Sequence, residues 1–249
     1  MVTAVGMVGP ARGREHPEVE GILHAIGPLS GMNRVAAAFY DGPTWPRFRR
    51  FEQVFLGCMG PGVAAARRQV LKHLPDRPGL RVLEVGIGDG QNVPLLPAGC
   101  EVFGVDIARN RLQTCLERFP ATAGRLAWAE GEALPYEDRS FDAVFTVGGI
   151  NYFRDPAAAL AEMRRVARPG GTLVAADENP ELYRLGIGHL IGLEWLDAWW
   201  LRMTGLDREF VAMVFETPPR VEPAARRVWP GHRRVSVWNR LGYCLVHAL

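Results

Sequence analysis

The stretch VLEVGIGDGQN, residues 82–92, decides the fold. An apolar run carries one acid, Glu84, and is followed by glycines at every second position: Gly86, Gly88 and Gly90. A glycine-rich turn after a strand commonly cradles phosphate. The dinucleotide pattern G-x-G-x-x-G, however, needs its third glycine three residues after the second, and that position is Gln91. A phosphate-binding G-K-S/T turn is also missing. The pattern here is E-x-G-x-G-x-G, which keeps the backbone bare over a longer stretch. An acid at the strand's carboxyl end suits an ammonium or sulfonium better than a phosphate. Glu84 either anchors the loop or answers such a cation.

Outward from this loop, short apolar runs at 80–86, 101–106, 141–148 and 171–177 read as strands. Helical spacing fills 91–97, 108–118 and 156–168 between them. The tail, 233–249, reads as two further strands around NRLG. Upstream, residues 1–18 read as frayed, and 19–73 as helical with a break at DGPTWP, 41–46. Strands alternating with helices predict an α/β fold, a doubly wound and mostly parallel sheet with helices on both faces. Asp106 ends the second of these strands, 20 residues after Gly86, the separation at which an acid accepts from ribose hydroxyls. Ile107 is placed to pack on a purine face. In AEGEALPYEDRSFDAV, 129–144, Glu130 is a candidate acceptor for an exocyclic amino group and the Gly131 amide a donor to a ring nitrogen. For ARPGG, 167–171, the reading is a helix stop and turn, not chemistry.

LEVGIGDG, VFGVDIA, EALPYEDRSFDAV and LAEMRRVARPGGTLVAAD, in that order over residues 80–177, resemble the class I S-adenosylmethionine-dependent methyltransferases. The resemblance implies a Rossmann-like seven-stranded sheet, with N-terminal helices over 1–79, a methyltransferase domain over 80–249, and a lid inserted at about 185–219. It implies S-adenosylmethionine as cofactor, held by Glu84, Gly86, Gly88, Gly90, Asp106, Ile107, Glu130, Gly131 and Val147. The end of the fourth strand reads VGGINYF, 147–153, instead of the Asn/Asp-Pro-Pro-Tyr/Phe of many nucleic-acid and protein N-methylating members. The sequence is similar instead to the ubiquinone/menaquinone-biosynthesis-like branch, which implies a small, hydrophobic acceptor methylated at oxygen, carbon or nitrogen. FYD, 39–41, agrees with that branch, whereas Gly42-Pro43-Thr44 departs from the Asn that follows in the quinone enzymes. Two alternatives stay open: a cofactor-binding but non-catalytic partner subunit, and a macromolecule methyltransferase.

The acceptor side is read from the insertion LGIGHLIGLEWLDAWWLRMTGLDREFVAMVFETPP, 185–219. On a helix Trp195 and Trp199 fall on one face, as do Leu196 and Trp200. They form a packing or dimer surface, an aromatic wall for the acceptor, or a peripheral membrane contact. His189 and Tyr152 are the candidate catalytic bases. Tyr40 and Asn151 are further candidates for the acceptor pocket. The C-terminal arginines of ARRVWPGHRR, 225–234, read as a solvated surface.

Composition narrows the classes. The chain has 249 residues, 48% of them hydrophobic, enough for a sizeable core. Its formal net charge of +2 gives no chain-wide footprint for nucleic acid. Four dispersed cysteines, with no CxxC and no clustered histidines, predict neither a metal site nor a disulfide framework and suit a cytoplasmic protein. No apolar run is long enough to span a membrane, and the expected state is monomer or homodimer.

Overall fold

The computed structural model describes residues 16–59, 62–180, 195–196, 199, 206–216 and 220–249. In chain order the elements are β1 (Glu18–Val19), β2 (Ile22–His24), α1 (Gly31–Asp41), α2 (Trp45–Met59), α3 (Val63–Leu71), β3 (Arg81–Val85), β4 (Glu101–Asp106), α4 (Arg109–Arg118) and β5 (Leu126–Trp128). There follow β6 (Phe141–Val147), α5 (Pro156–Val166), β7 (Ala167–Glu178), α6 (Arg208–Glu216), α7 (Val221–Val228), β8 (Arg233–Val237) and β9 (Gly242–Ala248).

All strands join one sheet of order β1-β2-β5-β4-β3-β6-β7-β9-β8. Strands β2 to β7 run parallel to their neighbours within that set, while β1, β8 and β9 pair antiparallel. Side chains alternate across the sheet with the period of two that a pleated strand imposes. Leu83, Val85, Phe103, Val105, Leu173 and Ala175 enter one core with α5 and α7. The intervening Val82, Phe145, Val174 and Ala176 enter the opposite core, under α3. Val102 and Leu126 pack beneath α4 through Leu112 and Cys115. The largest side chain of the first core, Trp229, is fully buried and donates its Nε1–H to Leu160 O at 2.9 Å.

The seven strands β3 to β9 form the doubly wound core that the sequence predicts, and the tail supplies β8 and β9 as expected. Three features differ. The segment from Val19 onward begins not with helix but with β1 and β2, which extend the sheet beyond β5. Residues 91–97 form only a 3₁₀ turn at Val93–Leu95, because Pro94 and Pro97 deny the chain the amide donors a longer helix needs. The ARPGG turn lies within β7 as an irregularity: α5 stops at Val166, Gly170 takes φ +78°, and the register against β6 shifts between Phe141 and Ala143.

The strand order reverses at β3, whose neighbours are β4 on one side and β6 on the other. In open α/β sheets the crevice at such a reversal, beyond the carboxyl ends of the strands, is where ligands bind. Here the glycine loop leaves β3 and Gly148-Gly149 leave β6. None of the described helices is long and apolar enough to cross a membrane.

Candidate functional site

The three loop glycines have different tasks. All take positive φ: Gly86 +79°, Gly88 +55° and Gly90 +76°. A Cβ on Gly90 would stand 2.8 Å from Cys115 Sγ and 2.8 Å from Phe119 Cδ2, so this glycine lets the loop press onto α4. A Cβ on Gly88 would meet nothing within 4 Å, and one on Gly86 nothing nearer than 3.9 Å. Bare backbone at these two positions faces open space, which is what close approach of a ligand requires. One of the two atoms nearest Gly86 is Thr146 Oγ1, buried and without a partner among the described residues. The loop lies flat because β4 also lacks a side chain at Gly104, where a Cβ would collide with Ile87 Cδ1 at 2.5 Å.

Asp106 ties the loop to the end of β4. Its Oδ2 accepts from the Gly88 amide at 2.7 Å and its Oδ1 from the Ala108 amide at 2.8 Å. Burial raises its pKa to about 6, against the lowering effect of these amides. With the Ile107 amide also turned toward it, the carboxylate keeps capacity for a further donor. Ile107 beside it packs against the aromatic cluster described below and accepts from Trp128 Nε1 at 2.9 Å through its carbonyl.

Glu84 serves the loop from below. It is 1% exposed, and its Oε1 accepts from Asn92 Nδ2 at 2.5 Å. Asn92 Oδ1 in turn accepts from Arg67 at 3.1 Å. Oε2 of Glu84 is buried without a partner among the described residues. Burial pushes the Glu84 pKa to about 8, only partly offset by Arg67 and Asn92.

Several expected site residues also make contacts within the protein. Glu130 Oε2 accepts from Asn33 Nδ2 at 2.6 Å and pairs with Arg154 at 3.7 Å, fixing α1 to the loop after β5. Gly131 is also required by packing, since a Cβ would stand 2.6 Å from Phe153 Cε2 and 2.9 Å from Val85 Cγ1, which leaves the role expected of its amide untouched. Asn151 is held from three sides: its backbone amide donates to Asp177 Oδ2 at 2.9 Å, its Nδ2 to Glu178 O at 2.8 Å, and its Oδ1 accepts from Tyr243 OH at 2.7 Å. It therefore ties the end of β6 to β7 and β9. Val147 is buried at the end of β6.

Tyr40 and Tyr152 come together in an aromatic cluster at the mouth of the crevice. Phe39 stacks on Phe210 of α6 at 3.7 Å between centroids, Tyr40 meets Trp45 edge-on at 4.8 Å, and Tyr152 lies 6.1 Å from Phe210. Tyr152 OH donates to Glu178 Oε1 at 2.8 Å. Trp195 and Trp199 are helical but 60% and 48% exposed, outside this cluster. His189 lies outside the described residues.

Functional residues that the sequence reading passed over are Asn33, Asp41 and Asp89. Asn33 is 1% exposed and reaches Glu130 and Glu132, while its Oδ1 accepts from the Arg154 amide. Asp41, at the end of α1, accepts from the amides of Arg109 and Asn110 at 3.1 and 2.9 Å and so caps α4 from another element. Asp89 accepts from Arg118 at 2.8 Å and from Arg49 of α2, joining the glycine loop to two helices. Among the described residues no group of His, Cys, Asp and Glu is arranged to hold a metal.

Residues 83–175 match the sequence pattern of the methyltransferase domain family. This segment carries the methyltransferase-domain pattern, and the chain has the α/β fold of solved SAM-dependent methyltransferases. It is similar to the demethylmenaquinone methyltransferases of Renibacterium salmoninarum, 38% identical over 112 residues, and Beutenbergia cavernae, 39% identical over 114 residues. Each match covers 45% of this chain and 46% of the relative, so the likeness spans just under half the length of both. Over most of the chain the fold resembles solved SAM-dependent methyltransferases of Thermotoga maritima (TM-score 0.53, 18% identity, 88% of this chain and 99% of that one) and Aquifex aeolicus (TM-score 0.50, 18% identity, 88% and 99%).

Two outcomes follow from this geometry. Gly88→Ala is expected to cost only about 1–2 kcal/mol of stability, the cost of a left-handed non-glycine residue, while obstructing the ligand surface. Gly90→Ala is expected to cost more, because Cys115 and Phe119 must also move; chemical denaturation of both variants ranks them. Glu84 favours folding fully below its ordinary pKa of 4.5 and loses that contribution as pH rises through about 8. Glu84→Gln, which keeps the Asn92 hydrogen bond, is therefore expected to gain on the order of a few kcal/mol over the parent at pH 9, with the gain vanishing toward pH 5. Equal parent–variant differences at both pH values would contradict the buried, proton-retaining carboxyl.

Proposed function

We propose that this chain is an S-adenosylmethionine-dependent methyltransferase whose acceptor is a small, apolar molecule methylated at oxygen, carbon or nitrogen. The observation that carries the reading is the pair of bare glycines, Gly86 and Gly88, held beside Asp106 at the reversal of the sheet. Open backbone at Gly86 and Gly88 admits the amino-acid arm of the cofactor, with Thr146 Oγ1 buried beside Gly86 and Glu84 Oε2 at the end of the strand below. The spare lone pairs of Asp106 accept the two ribose hydroxyls, and Ile107 packs against the base. Bound there, S-adenosylmethionine supplies a methyl group on a sulfonium sulfur.

The protein's part in the transfer is alignment and exclusion of water. The acceptor must approach the methyl opposite the sulfur, and fixing that geometry is worth up to about 7–11 kcal/mol in well-oriented intramolecular reactions. Phe39, Tyr40, Trp45, Tyr152 and Phe210 form an apolar wall at the mouth of the crevice, suited to an aromatic or prenyl-like body. A dry wall also favours a reaction in which the cationic charge is lost. The names of the curated relatives point in the same direction, toward a quinone-like acceptor.

The test is calorimetric titration with S-adenosylhomocysteine, together with transfer of labelled methyl from S-adenosylmethionine into a solvent-partitioned extract. Asp106→Ala is expected to weaken S-adenosylhomocysteine binding by about 2–3 kcal/mol. Because the ionised carboxylate accepts from the ribose, parent affinity is expected to fall as pH drops below about 6 and to be level above it. Label is expected in the organic phase. Unchanged affinity in Asp106→Ala would remove the ribose assignment, and label in macromolecules would overturn the small-molecule reading.

A further inference from the structure

A second cavity lies between α2 and α4, with a volume of about 250 Å³, lined by Trp45, Pro46, Arg49, Arg50, Gln53 and Arg111. None of these residues belongs to the glycine cradle or to the end of β4 that holds Asp106. Three guanidinium groups around one small space repel one another unless an anion answers them.

The protein's own carboxylates do not answer all of them. Asp89 is shared between Arg49 and Arg118. Asp41, the other acid of this region, accepts from the amides of Arg109 and Asn110 and lies near enough to Arg111 to feel its charge, but closes no ion pair with it. Arg50 and Arg111 form no ion pair with any described residue, and the Nε–H groups of Arg49 and Arg111 are buried with no acceptor among them. An anion seated among these guanidinium groups would offset the uncompensated positive charge. Planar forks of this kind suit the oxygens of a phosphate, which accept two parallel hydrogen bonds from each.

Trp45 joins this cavity to the aromatic wall, because it both lines the arginine pocket and packs in the cluster with Phe39, Tyr40 and Phe48. We propose that the pocket of Arg49, Arg50 and Arg111 receives a phosphate or diphosphate group carried by the methyl acceptor, whose apolar body lies across Trp45 onto the aromatic wall. The acceptor is then an anionic amphiphile, and the arginines select it by its head while the aromatics hold its tail. The inference rests on the proposed methyl transfer, which identifies the aromatic wall as the acceptor side.

The experiment keeps the two readings apart. S-adenosylhomocysteine is titrated first into the full chain, and failure to bind would sink the proposed function irrespective of any phosphate result. The S-adenosylhomocysteine complex is then titrated with inorganic phosphate and with hexyl phosphate. The account predicts that hexyl phosphate binds at least about tenfold more tightly than inorganic phosphate, since its methylenes leave water for the wall. Arg50→Ala and Arg111→Ala are each expected to weaken hexyl phosphate binding about tenfold and to leave S-adenosylhomocysteine affinity unchanged, which also shows that the variants are folded. Four results would overturn the inference: no binding of hexyl phosphate to the complex, equal binding of the two phosphates, binding indifferent to the arginine variants, or displacement of S-adenosylhomocysteine by phosphate. The last would assign the arginines to the cofactor.

Discussion

The hydrogen bond from the Gly88 amide to Asp106 Oδ2, at 2.7 Å, couples the ends of two adjacent strands. Without it, a loop of alternating glycines would be the most freely moving backbone in the domain, because each glycine loses more conformational entropy on ordering than any other residue. With it, the loop is held open-side outward, and the acid that pins it stands beside the surface it exposes. The Ala108 amide on the other Asp106 oxygen turns the chain out of β4 toward α4. One carboxylate therefore sets the loop and the exit from the strand, and still has capacity to accept from a ligand.

Around this centre, the upper layer is attached by long-range polar contacts rather than by a continuous apolar seam alone. Asn33 docks α1 onto Glu130, Glu132 and the Arg154 amide; Asp41 caps α4 from the far end of α1; Arg49 reaches from α2 to Asp89 in the glycine loop. All three contacts end on the segments that shape the crevice. The helices α1 and α2 are thereby registered to the loops at the carboxyl ends of the strands. The same connections place the three cavity arginines beside the wall.

Much of this was legible in the sequence, for physical reasons that also explain the rest. Strands β3, β4, β6 and β7 are apolar runs ended by glycine or acid, so both their type and their ligand-facing ends can be read directly. Strands β1, β2 and β5 have two or three residues each, too few for a period to show, and they form only because a neighbouring edge is already there. The 91–97 stretch carries helix-like apolar spacing, but Pro94 and Pro97 override it. Gly86, Gly88 and Gly90 look alike in sequence, and only the packing of Cys115 and Phe119 distinguishes the structural glycine from the two that face open space. Asn151 and Glu130 stood at the expected positions, yet partners far away in the chain, Tyr243 and Asn33, claim their side chains. No local pattern reports such partners.

The central claim is that the bare backbone at Gly86 and Gly88, pinned by Asp106, is a ligand surface. It is tested most directly by following the backbone amide resonances of the isotopically labelled chain during titration with S-adenosylhomocysteine. The account predicts saturable shifts concentrated at Gly86, Gly88, Asp106 and Ile107, with Gly124 and Gly170 on remote turns unmoved. Shifts that are absent at the loop, or that gather elsewhere on the molecule, would contradict it.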